Sequence, residues 1–198
     1  MRQSYISKMN TRPKLLLAAA LGFAVTRIVL AEPTAFDLVK KGDQYIGEPS
    51  RDKVVQVRSD KSVADLTPNI WYVTYYDPEA QFKLVEVKFG SGEEMNVSHP
   101  SRPFQPPASD NEILDKSKLK VDSDKALKIA TSQPLLKALT IKSSKLTLQH
   151  SDSLPVWKVQ LWAAKLNNPN KTADVGIVTV SAADGSVIES DLHPNRVD

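Results

Sequence analysis

Few residues in this 198-residue chain could do chemistry. It holds no cysteine, and its three histidines, His99, His150 and His193, stand far apart in turns or at the ends of apolar runs. A zinc site needs three or four converging ligands, and no His-Glu-x-x-His pair offers the start of one. A serine nucleophile needs a base beside it; neither a Gly-x-Ser-x-Gly elbow nor a short His–Ser–carboxylate spacing occurs. Glu93-Glu94 and Asp184 adjoin glycines, where acids ordinarily serve the turn. With 7 glycines in all, no phosphate-cradling loop is formed. These absences read as a non-enzyme with no metal and no cofactor, its histidines solvated in loops.

The side chains left with a functional prospect are aromatic. Ile70-Trp71-Tyr72-Val73-Thr74-Tyr75-Tyr76 and Val156-Trp157-Lys158-Val159-Gln160-Leu161-Trp162 share one pattern, Trp71 falling on Trp157 and Tyr76 on Trp162. Downstream, Leu84, Val85, Val87 and Gly92 fall on Ile177, Val178, Val180 and Gly185, which reads as an internal duplication. Both windows are rich in aromatic and β-branched residues and alternate between two faces, as a half-buried strand does. Trp71, Val73 and Tyr75 share one face; Tyr72 and Tyr76 share the other, and Trp162 points away from Trp157. One helix covers one face of a sheet. Tyr72, Tyr76 and Trp162 are therefore the candidate binding residues, exposed for a partner if the second faces are open and buried if the two units close on each other.

The elements that must position them follow in order. Ala35, Leu38, Val39, Gly42 and Tyr45 recur at helical spacing and predict a helix over 34–46. Strands are expected at 54–57, 70–76, 82–89 and 94–97. Four prolines between His99 and Ala108 interrupt both helix and ladder and mark a linker over 99–112. Asp122-Ser123-Asp124 caps a second helix, which Pro134 ends. Leu146 and Leu148, then 156–163, 175–181 and 187–192, read as strands, with 166–172 a polar loop and Asp184-Gly185 a tight hairpin turn. The expected fold class is α+β: two repeats, each of one helix packed on a four-stranded antiparallel sheet, at 32–98 and 113–198.

Arg2, Lys8, Arg12 and Lys14 precede an apolar run from Leu15 to Val25, and Val29-Leu30-Ala31 offers small residues for cleavage. This predicts an export signal over 1–31, the run being shorter than the about 20 residues of a membrane span. Cleavage after Ala31 would remove five of the 26 basic residues and none of the 23 acidic ones, taking the net charge from +3 to −2. The overall basicity belongs to the signal, so charge offers no case for nucleic-acid binding. An uncleaved N-terminal anchor is the alternative. The expected location is periplasmic or secreted in a bacterium, with no stable membrane span after cleavage.

The helix at 122–130, Val156-Trp157-Lys158-Val159, and the hairpin from Val178 to Ile188 resemble the PepSY family over about 70 residues, and more weakly the likeness extends through the repeat to 35–97. The tandem is similar in arrangement to the β-lactamase inhibitory protein. The resemblance implies binding or inhibition of a peptidase or another envelope protein through the sheet surface, and it supplies no catalytic residues. The alternative is a small-ligand carrier or sensor with a pocket between helix and sheet lined by Tyr45, Tyr72 and Tyr76.

Overall fold

A computed structural model describes residues 32–152 and 154–197; the expected export signal lies outside the described residues. Thr34 starts α1 (Ala35–Gly42) with a capping box, its hydroxyl accepting from the Asp37 N–H while the Asp37 carboxylate accepts from the Thr34 N–H at 3.2 Å. The helix ends at Gly42, short of the expected Ile46. A Cβ at Gly42 would stand 2.1 Å from the hydroxyl of buried Tyr75, so this close approach admits only glycine. Asp122 caps α2 (Ser123–Thr131), accepting from Ser123 N–H at 2.6 Å, and also accepts from Phe36 N–H at 3.2 Å. Ser123 Oγ accepts from Ala35 N–H at 3.0 Å, so side chains at the start of α2 satisfy two free amides at the start of α1.

The strands are β1 (Val54–Ser59), β2 (Ile70–Tyr76), β3 (Leu84–Gly90), β4 (Glu93–Ser98), β5 (Leu139–Ser151), β6 (Leu154–Lys165), β7 (Asn168–Ser181) and β8 (Val187–Leu192). They form one sheet in the order β4-β3-β2-β1-β5-β6-β7-β8, with each adjacent pair antiparallel. This corrects the expectation of two separate four-stranded sheets. In each half a helix precedes an antiparallel meander, but β1 and β5, which would otherwise be bare edges, pair with each other at Val57↔Leu148 and Arg58↔Thr147. An unpaired edge leaves a row of N–H and C=O groups without partners, and fusing the meanders satisfies part of both rows. Where this short ladder stops, serines continue it: Ser59 Oγ accepts from Leu146 N–H at 2.9 Å and Ser62 Oγ from Ser144 N–H at 2.9 Å, while Ser144 Oγ donates to Leu66 C=O at 2.6 Å.

Both helices pack on one face, above a core that runs across the seam: Trp71, Val73, Tyr75, Val87 and Phe89 from one half meet Leu146, Leu148, Trp157, Val159 and Leu161 from the other. Phe36 of α1 stacks at 6.4 Å on Trp157 of β6, a contact between the halves. The expected polar loop at 166–172 is instead a two-residue turn, Leu166-Asn167, at the tip of a long β6–β7 hairpin. Gly176 sits in a bulge of β7 at φ +116°, where a Cβ would lie 2.0 Å from the Asp191 carbonyl oxygen.

Candidate binding face

The register sets one side chain per strand in a single rank across the face away from the helices. Asn96 pairs with Lys88, Lys88 with Tyr72, Tyr72 with Arg58, Arg58 with Thr147, Thr147 with Lys158, Lys158 with Thr179 and Thr179 with Glu189. Seven inter-strand steps of about 4.8 Å make this rank roughly 34 Å long. A second rank holds Glu86, Thr74, Gln56 and Gln149, the last two joined amide to amide at 3.3 Å. These residues alternate with the buried apolar ones, so both faces come from one period-two pattern.

Buried Glu86 is fully engaged: both its oxygens accept from Arg58 Nη2 at 3.2 Å, and Oε2 accepts from Thr74 Oγ1 at 3.0 Å. The Arg58 guanidinium also lies 3.7 Å above the Tyr72 ring, with Lys88 Nζ at 5.4 Å from the same ring, and Tyr72 donates its hydroxyl hydrogen to Asp60 at 3.1 Å. Farther along, Lys61 Nζ lies 4.2 Å above Trp162. Cations over ring faces in a half-exposed setting attract by the ring quadrupole, by about 0.5–1 kcal/mol. Gln160 donates to Asp174 at 2.6 Å, which ties the acid next to Trp162 in the β6–β7 register.

Of the three candidate residues, Tyr72 and Trp162 lie half-exposed on this face, on β2 and β6, three strand steps apart and in different ranks. Tyr76 is set apart. It packs on a small separate cluster of Val55, Leu84 and Ala108 with Ile113, where the Pro-rich segment crosses the end of the face as a strap. The strap is pinned by Ala108 N–H to Phe82 C=O at 3.0 Å, Leu114 N–H to Val54 C=O at 2.7 Å and a two-pronged Arg102–Glu112 pair at 3.0 and 2.8 Å. Burial pushes the Glu112 carboxyl up, but Arg102, the Ser109 N–H and nearby His150 outweigh it and hold the group below its usual range. Between strap and sheet is a polar cleft of about 570 Å³, with Arg58, Glu86, Arg102, Glu112 and His150 on its walls.

The remaining sequence candidates are scattered. Tyr45 packs edge-on at 6.3 Å against Phe89 on the helix side, so Tyr45, Tyr72 and Tyr76 do not line one pocket. His150 Nε2 bonds to Ile113 C=O at 3.0 Å, His99 lies 3.6 Å from Asp77, and His193 lies 2.9 Å from Asp191. Glu93 pairs with Lys41 at 3.0 Å, and Asp184, held at about 2 by the Ser186 N–H and the hydroxyls of Ser181 and Ser186, closes its own turn. Among the described residues no group of three or more such side chains could hold a metal, and no helix is long and apolar enough to cross a membrane.

Sequence reading missed Arg58, Lys61, Lys88, Lys145 and Lys158. The signal was there for Lys88 and Lys158, which alternate with Val87 and Val159, but a lysine in an alternating strand reads as ordinary solvent exposure until its neighbours across the sheet are known. No protein family, no characterised protein and no solved structure matches this chain.

Proposed function

We propose that this is an exported, non-catalytic binding protein that holds a protein partner, of the kind represented by an envelope peptidase, against the open face of its sheet. The observation that carries the reading is the asymmetry of the sheet. Among the described residues both helices cover one face, while the other presents Tyr72 and Trp162 under cations, with only the strap across one end. Large, stiff side chains held in place before contact lose little entropy on binding. The basic, apolar N-terminus supports the export part of the reading, and the PepSY-like pattern of the second half supports a partner among envelope proteins.

The test is retention of an envelope protein on immobilised wild-type protein, compared with Tyr72→Ser and Trp162→Ser. A partner held by the wild type and lost on both variants, with melting temperatures within a few degrees of wild type, is the expected result. Equal retention by all three proteins overturns the proposal.

A further inference from the structure

The open face carries five cations toward its centre, and they are unequally matched. Arg58 is neutralised by Glu86. Lys61 and Lys88 lean on aromatic rings, and Lys145 and Lys158 are exposed beside one another on β5 and β6, sharing a hollow with Gln149 and Gln160. Among the described residues none of these four ammonium groups has a carboxylate partner. Glu86 is taken up by Arg58 and Asp60 accepts from the Tyr72 hydroxyl; the other acids of the same face lie to one side, at Asp174 on β7 and Glu189 and Asp191 on β8. The unmatched positive field therefore runs from β3 to β6, four strand steps or about 19 Å.

From this we infer that the partner meets the face with an acidic segment, laid across β3 to β6 so that its carboxylates fall on Lys88, Lys145, Lys158 and Lys61. The inference rests on the binding reading above and adds the partner's chemistry to it. Opposed charge of this kind raises the encounter rate and sets the register of docking. Protein carboxylates are favoured over a nucleic acid by the state of the rings: single strands are held by bases stacking on open aromatic faces, and here Arg58 and Lys61 already cover Tyr72 and Trp162. The acids of β7 and β8 also cut the field short on a side that a longer phosphate chain would have to cross.

Fluorescence anisotropy of a labelled ten-residue Glu-Ser repeat, titrated with the full protein, tests this directly. Saturable binding that weakens as salt rises is expected, with a loss of tenfold or more in the K145E/K158E variant at unchanged melting temperature. That variant should in turn bind the matching Lys-Ser repeat better than wild type does. No binding of the acidic repeat, binding indifferent to K145E/K158E, or tighter binding of a ten-nucleotide oligothymidylate each overturns the inference. Loss of the envelope partner with Trp162→Ser but not with K145E/K158E would overturn it while leaving the binding reading intact.

Discussion

Replacing Trp157 tests how the two halves are held as one body. Its ring is 0 % exposed, lies in β6 between Leu148 and Val180, touches Phe36 of α1, and donates Nε1–H to the Val121 carbonyl at 2.8 Å. Trp157→Ala removes that ring from a packed site, at about 3–5 kcal/mol, and leaves the Val121 oxygen without its donor, at a further about 1 kcal/mol or more. Against a total of roughly 5–15 kcal/mol this would nearly unfold a protein at the lower end of that range. Trp157→Phe separates the two effects, since it keeps most of the apolar volume and loses the N–H; it should cost about 1–3 kcal/mol. Urea denaturation followed by circular dichroism gives both values without depending on the fluorescence of the other two tryptophans. Trp71→Ala, at an equally buried site bonded to Pro68 C=O at 2.8 Å, should cost a similar amount. A loss below about 1 kcal/mol for Trp157→Ala, or a Phe variant as stable as wild type, would refute the reasoning.

Two further outcomes follow from local geometry. Gly176→Ala should destabilise by about 3 kcal/mol or more, because an L side chain is strained at φ +116° and its Cβ would strike the Asp191 carbonyl; a variant that melts like wild type would show that the bulge can relax. Glu112 has a folded pKa below its ordinary 4.5, so its hold on Arg102 is complete above that value and is lost as pH falls through the folded pKa. Hydrogen exchange at Ala108 and Leu114 should accelerate at pH 3 relative to the central strands, and Arg102→Ala should remove the difference between pH 3 and pH 6; unchanged exchange at the strap contradicts this.

The buried face was legible because alternation is a local property: Trp71, Val73 and Tyr75 declare it within one strand, and Trp157, Val159 and Leu161 within another. Which strands are neighbours is not local. The pairing of Val57 with Leu148 joins residues far apart in the chain, and no feature of either marks β1 and β5 as partners rather than as edges. The same limit hid the strap. Its prolines exclude a ladder, but its path back over Tyr76 depends on Ala108 reaching Phe82 and on Arg102 meeting Glu112. The outer part of the β6–β7 hairpin was misread for another reason, since residues 166–172 are exposed and carry no burial pattern to betray a strand. For the site, alternation placed Tyr72 and Trp162 on the second face, while the cations above them come from other strands and needed the register.

Joining the two meanders has a consequence for how copies of the molecule meet in concentrated solution. Among the described residues four strand edges become two, at β4 and β8, and each carries exposed apolar side chains, Met95 and Val97 on one and Val187 and Ile188 on the other. Both are also acidic, with Glu93 and Glu94 on β4 and Glu189 and Asp191 on β8. Growth of the sheet from one copy into the next, whichever edges meet, would bring two acidic edges together, so charge on the outermost strands guards the molecule against fibre formation.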